Sequence, residues 1–199
     1  MDQHTPQEDI AYIKNIIRDS KRIIFHDGKS FIVWGLLVVF GMLGMFFMHQ
    51  FEEFTFAWLV WPVLIGIGWV YTLITEWFRG KRAKAWTFAG KILGALWFSS
   101  GVTMTLIGFL GTYAGAYSGE YVSPLIATVL GIAYLVSGVL YGKPWVSWLA
   151  VGWWGGGAVL FFITNVYSFL VFAGMMLFFQ TIPGYVLYRQ SKQEVSISQ

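Results

Sequence analysis

Ser30-Phe31-Ile32-Val33-Trp34-Gly35-Leu36-Leu37-Val38-Val39-Phe40-Gly41-Met42-Leu43-Gly44-Met45-Phe46-Phe47-Met48 decides the fold, because this run holds no charged side chain. A hydrocarbon core of about 30 Å asks for about 20 apolar helical residues. In lipid every backbone N–H and C=O must be satisfied within the segment, so such a run is a helix rather than a lone strand. Five more runs of the same kind follow: Phe56–Trp77, Ile92–Leu110, Val122–Leu140, Trp145–Ile163 and Tyr167–Tyr188. The alternation of a membrane barrel is absent. The sequence therefore predicts an all-α polytopic membrane protein with six transmembrane helices over residues 30–188. Residues 1–29 form a cytoplasmic segment before it and residues 189–199 a cytoplasmic tail after it.

Composition agrees: 57% of residues are hydrophobic and 12% charged, against about 25% charged in an ordinary soluble domain. The aromatic share of 20% includes eleven Trp, and amphipathic rings suit the headgroup level. No Cys occurs, which rules out disulfides, thiolate metal sites and thiol nucleophiles. A net charge of +3 is too small and scattered to argue for nucleic acid. The first 29 residues are polar and charged, so no cleavable signal is expected and the first run should stay as an anchor.

Orientation follows from the Lys and Arg residues, which collect on cytoplasmic flanks. All 13 fall on one side of the predicted topology: Lys14, Arg18, Lys21, Arg22 and Lys29; Arg79, Lys81, Arg82, Lys84 and Lys91; Lys143; Arg189 and Lys192. The opposite connections, residues 49–55, 111–121 and 164–166, hold Glu52, Glu53 and Glu120 but no basic residue. Both termini are thus expected in the cytoplasm.

Thr5-Pro6-Gln7-Glu8 reads as a capping box with Pro at the first helical position, which starts a separate N-terminal helix. Ile10, Ile13, Ile17 and Ile24 recur at helical spacing while Lys14, Arg18, Lys21 and Arg22 fill another sector. That is the pattern of an interfacial amphipathic helix. Docking of residues 6–25 on anionic lipid is favoured over capture of a cytoplasmic protein partner or a merely solvated helix.

A weak repeat aligns Gly28-Lys29, Trp34 and Gly41 with Gly142-Lys143, Trp148 and Gly155, and Gly68-Trp69-Val70-Tyr71 with Gly131-Ile132-Ala133-Tyr134. Three tandem helical hairpins would explain it. With 23 glycines in the chain, chance recurrence is the favoured reading. Gly90/Gly94, Gly138/Gly142 and Gly152/Gly156 are small-xxx-small spacings, and Gly155-Gly156-Gly157 is expected to open one face of the fifth helix to a neighbour. Packing within the chain is favoured over a homo-oligomer seam.

Catalytic residue types are scarce. No Asp follows Asp27, no His follows His49, and the remaining acids, Glu52, Glu53, Glu76, Glu120 and Glu194, lie at or beyond helix ends. Acid and base therefore cannot meet at mid-bilayer, and no enzyme and no cofactor is expected. His49, Glu52 and Glu53 cluster at the outer end of the first span as weak candidate metal ligands, with a solvated polar turn favoured. Glu76 and Arg79 read as a structural ion pair.

Trp58 and Trp61, and Trp77, Trp86, Trp145 and Trp148, read as belts at the two faces. Trp69, Trp97, Trp153 and Trp154 lie nearer mid-span, where an indole N–H wants a partner. Ser99, Ser100, Thr103 and Gln180 share that depth. Trp97, Ser100, Trp153, Trp154 and Gln180 form a candidate apolar-ligand pocket, with ordinary core packing the favoured alternative. Pro183 removes one helical hydrogen bond from the carbonyl of Phe179, which Gln180, Thr181 or water must offset. Gln180 is expected to point into a kinked seam against the third and fifth helices, bonding Ser99, Ser100 or an indole, or meeting a ligand.

Gly152-Trp153-Trp154-Gly155, together with Phe178-Phe179-Gln180-Thr181-Ile182-Pro183-Gly184-Tyr185-Val186-Leu187-Tyr188 and Glu8-Asp9-Ile10-Ala11-Tyr12-Ile13-Lys14, resembles a group of six-helix bacterial inner-membrane proteins without a known activity. The resemblance spans most of the chain. It implies an inner-membrane address and a cytoplasmic amphipathic start, and lends no substrate or catalytic residue. The expected function is a regulatory, scaffolding or ligand-sensing membrane protein, with a transporter or channel for a neutral or apolar solute as the alternative.

Overall fold

The structure, a computed structural model, describes residues 6–52, 54–82 and 88–197, and among these it is all-helical with no strand. Helix α1 (Pro6–Gln50) is followed by α2 (Ala57–Arg82) and α3 (Phe88–Thr105), which runs on as a π segment, Leu106–Gly111. A 3₁₀ turn, Gly119–Tyr121, leads into α4 (Val122–Tyr141), and α5 is Pro144–Leu160. The last rod consists of α6 (Tyr167–Met176), a second π segment (Leu177–Thr181) and α7 (Ile182–Ile197). Five stretches are long and apolar enough to cross a membrane: Gly28–Gln50, Ala57–Phe78, Ala89–Gly111, Gly119–Tyr141 and Tyr167–Gln193. The chain is a multi-pass membrane protein.

The fifth predicted span comes out shorter than Trp145–Ile163. Helix α5 has 17 residues, or about 26 Å at about 1.5 Å per residue. Beyond Leu160 the amides of Phe162 and Ile163 bond only three residues back, to Val159 and Leu160, the tightened geometry of a helix end. Lys143 Nζ donates to Gln190 Oε1 at 3.0 Å, and Lys29 lies over the Tyr188 ring, so these residues share one end. Tyr121 meets Phe161, and Phe46 meets Tyr167, at the other.

The N-terminal segment is not a separate element. Within the described residues helix α1 begins at Pro6 and runs unbroken through Gly28 into the first span. Its 45 residues make a rod of about 68 Å, more than twice the hydrocarbon thickness. Thr5 and the side chains of residues 6–27, on which the amphipathic reading rests, lie outside the described residues.

Packing does not follow three hairpins. The most extensive contacts join α4 to α5 and α1 to the α6–α7 rod, whereas α2 packs chiefly on α1. Only 6% of the α2 span is buried, against 50% for the α4 and α6–α7 spans. Residues aligned by the repeat also do different work. Gly41 receives Trp61 and Leu64, while Gly155 faces open space; Gly28 lies against the backbone of α7, while Gly142 is a left-handed helix cap at φ 63°.

That cap makes the α4–α5 hairpin tight. Gly142 N–H bonds Val139 O and Lys143 N–H bonds Gly138 O, the paired bonds of a Schellman ending. Pro144 then opens α5, where its missing N–H costs nothing. Gly138 admits the backbone of Ser147 and Gly157 admits Ala127. The three successive glycines do not form one face, because helical neighbours point about 100° apart. Gly155 is open, Gly156 receives Met175 of α6, and Gly157 faces α4. The expected small-residue seams divide likewise: Gly152 takes the Phe179 ring, while Gly94 is exposed.

The α1–α7 crossing is closest at Gly28 and Gly184. A Cβ on Gly28 would stand 2.8 Å from Tyr188 N and 2.9 Å from Gly184 O. One turn inward, Thr181 faces Gly35. The π segment of the last rod therefore packs mainly on α1, with a lesser contact to α5 and not the expected one to α3. Pro183 explains its position, since the chain just before a proline must bond without that donor. Ile182 N–H reaches five residues back to Leu177 O. Thr181 Oγ1 donates to Met176 O at 3.2 Å.

Candidate functional site

Among the described residues, the indole N–H groups of Trp34, Trp69, Trp97 and Trp154 are satisfied across helix interfaces, and in three of them the ring lies on a glycine. Trp34 of α1 covers Gly68 of α2, and its Nε1 donates to Thr72 Oγ1 at 3.0 Å. Thr72 in turn donates to Gly68 O at 2.9 Å. Trp69 of α2 repeats this on Gly101 and Thr105 of α3, at 3.3 and 2.8 Å. The spacing has a cause. Residues four apart share a helix face, so glycine makes room for the ring while threonine, bonded back to the carbonyl one turn earlier, keeps a lone pair for the indole. Trp97 of α3 donates to Ser137 Oγ of α4 at 3.0 Å. Trp154 of α5 lies on Gly131 and donates to Thr128 O at 3.2 Å.

Behind these clasps lies an aromatic core drawn from α1, α3, α4, α5 and the last rod. Phe31 is 4.8 Å from Trp97 and 5.4 Å from Tyr134 by ring centroids, and Trp97 and Tyr134 stand edge to face at 5.6 Å. Tyr134 lies 6.0 Å from Trp153, which meets Phe172 and Phe179. Tyr134 and Trp153 are fully buried and Gln180 is 4% exposed. Two buried polar atoms of this core, Tyr134 Oη and Trp153 Nε1, have no hydrogen-bond partner, and neither has Gln180 Oε1, buried on the π segment of the last rod. Such atoms are rare in native interiors, and each costs about 1–3 kcal/mol.

The structure splits the five predicted pocket residues. Trp97 and Trp153 belong to this core, Gln180 is buried on the π segment of the last rod, and Ser100 is buried on α3. Trp154 lies apart from them, on Gly131 of α4. Gln180 Oε1 does not receive the expected bond, and Ser99 Oγ donates to Leu96 O instead. Tyr134, Ser137, Thr72 and Thr105 were not singled out from sequence. A tyrosine in mid-span and the recurring Gly-x-x-x-Thr at residues 68–72, 101–105 and 108–112 are the signals that would have found most of them. Among the described residues, one shallow groove opens on the surface along Thr105, Leu106, Phe109, Leu110 and Tyr113, and another around Lys143 and Trp148. Neither is lined by the predicted pocket residues.

At the C-terminal end of α1, His49 is exposed and stands edge to face with Phe54, and Glu52 is exposed at φ 57°. Glu53 lies outside the described residues, and no group of three potential metal ligands occurs among those described. The Arg79 side chain and Trp86 also lie outside them. Trp58, Trp77 and Trp148 are exposed at the span ends, while Trp61 packs on Gly41. Comparison with protein-family models, curated proteins and solved structures finds no match to this chain.

Proposed function

We propose that this protein is a non-catalytic membrane protein that senses a small neutral ligand in the aromatic core between α4, α5 and the π segment of the last rod. The observation that carries this reading is the set of three orphaned polar atoms, Tyr134 Oη, Trp153 Nε1 and Gln180 Oε1. Together they cost several kcal/mol, a large part of a typical stability of about 5–15 kcal/mol. A ligand that satisfies them offsets that cost. Its chemistry follows from the set: it accepts from the indole, donates to the amide oxygen, and does either with the phenol. A hydroxyl or carbonyl compound with an apolar body fits. A charged one does not, because no Asp, Glu, Lys, Arg or His is buried among the described residues and desolvation would be costly.

Gln180 sits in the π segment, a helical irregularity of a kind found often at functional sites. A one-residue change of register there turns the amide by about 100°, so ligand binding and helix register are coupled. The non-catalytic part rests on the spans, where acids occur only near helix ends and Cys is absent. We further read α5 as a sixth crossing, since it returns the chain from the Lys143 end to the Tyr167 end. With Lys29, Lys143 and Arg189 gathered at one end, that end is cytoplasmic. A bacterial inner membrane is the address that the resemblance supports.

The test uses purified protein stripped of lipid. Tyr134→Phe and Gln180→Leu each remove an orphan and should raise stability by about 1 kcal/mol. A membrane extract should stabilise the wild type more than either variant, and native mass spectrometry should show a small neutral adduct lost in both. Equal effects of extract on all three proteins would refute the reading.

A further inference from the structure

We infer that the groove beside the α4–α5 turn is a site for one anionic phospholipid of the cytoplasmic leaflet. The groove is open and has a volume of about 330 Å³, at the lower end of the range for ligand pockets. It is lined by Gly138 and Gly142, which carry no side chain, and by Val139, Pro144, Ser147 and Trp148. Val139 and Trp148 are 70% and 72% exposed, so the groove opens sideways, where acyl chains lie. Its head is Lys143, one residue beyond the left-handed cap of α4. The site thus has the order of a lipid: cation at the end of the span, apolar walls running inward from it.

The ammonium is held rather than loose. Lys143 Nζ bonds Gln190 Oε1 at 3.0 Å, which ties it to α7. Glutamine is neutral, so that bond fixes the cation without cancelling its charge, and an ammonium has two further donors to offer. Fixing a long side chain beforehand lowers the ordering cost of binding. The Ser147 hydroxyl donates to Leu135 O and is not the phosphate donor. Lys143 therefore supplies the charge recognition, Gln190 positions it, and Trp148 and Val139 hold the upper chain. This site is independent of the core proposed above, since its lining shares no residue with that core.

The experiment is native mass spectrometry of the full chain in detergent, titrated with phosphatidylglycerol or phosphatidylcholine of the same chains. The wild type should retain one phosphatidylglycerol in preference to phosphatidylcholine. Lys143→Gln should weaken phosphatidylglycerol binding about fivefold, the factor expected from one cation near an anionic headgroup, and leave phosphatidylcholine unchanged. Trp148→Ala should weaken both lipids, and Gln190→Ala should give an intermediate loss of the preference. Melting temperatures within a degree or two of wild type establish that the variants are folded. Equal binding of the two lipids by the wild type, or an undiminished preference in Lys143→Gln, overturns the inference.

Discussion

Replacing Gly28 with Ala should destabilise the protein, whereas the same change at Gly44 or Gly66 should stabilise it. At Gly28 the new Cβ would lie 2.8 Å from Tyr188 N, 2.9 Å from Gly184 O and 3.1 Å from Tyr188 Cα, all backbone atoms. No side chain can swing away, so α1 and α7 must part by at least about 0.6 Å to reach ordinary contact. A gap of about 0.5–1 Å already forfeits a quarter to a half of each dispersion well along the seam. Overpacking of this kind costs about 1–3 kcal/mol, against which alanine in a helix returns about 1 kcal/mol. The net loss is up to about 2 kcal/mol. Gly44 and Gly66 have nothing within 4 Å, so there only the gain of about 0.5–1 kcal/mol remains. Thermal or denaturant unfolding in one detergent measures all three variants, and about 1 kcal/mol should move the midpoint by about 2–4 °C. A Gly28→Ala variant as stable as Gly44→Ala would refute the close α1–α7 crossing.

The Trp34 clasp predicts coupling: Trp34→Phe and Thr72→Val should interact by about 0.6 kcal/mol in a double-mutant cycle, and strict additivity would count against it. Thr181→Val removes the bond to Met176 O and should cost about 1 kcal/mol in the same unfolding assay. Reporter fusions after Thr55, Ser118 and Asn165 should behave as external and those after Lys143 and Lys192 as cytoplasmic, so a cytoplasmic signal at Asn165 would mean that α5 does not cross.

The spans were legible because one physical requirement dominates them. Lipid demands long apolar helices, and Ser30–Met48 or Val122–Leu140 can meet that demand in one way. Their ends were legible where the chain carries its own punctuation, as at Gly142-Lys143-Pro144. The end of α5 was not, because Gly155-Gly156-Gly157 reads as apolar by composition while weakening the helix. Nor was the continuity of α1: a capping box at Thr5–Glu8 marks where a helix starts but says nothing of where it stops, and nothing between Pro6 and Gly28 forces a stop.

The site was legible only as a list of residue types at one depth. Depth is one coordinate, and a helix has a second, its rotation. Trp153 and Trp154 differ by one position and hence by about 100°, which sends one indole into the core without a partner and the other onto Gly131. The rotation could have been read from the receiving helix. Gly68 and Thr72, or Gly101 and Thr105, mark the one face where a ring fits and an oxygen waits one turn on. Each tryptophan from the preceding helix then has a single destination. Trp153 instead meets the rings of Tyr134, Phe172 and Phe179, and its Nε1 has no partner. An indole without a clasp, in a protein that clasps Trp34, Trp69, Trp97 and Trp154, is the argument for treating that place as a binding site rather than as packing.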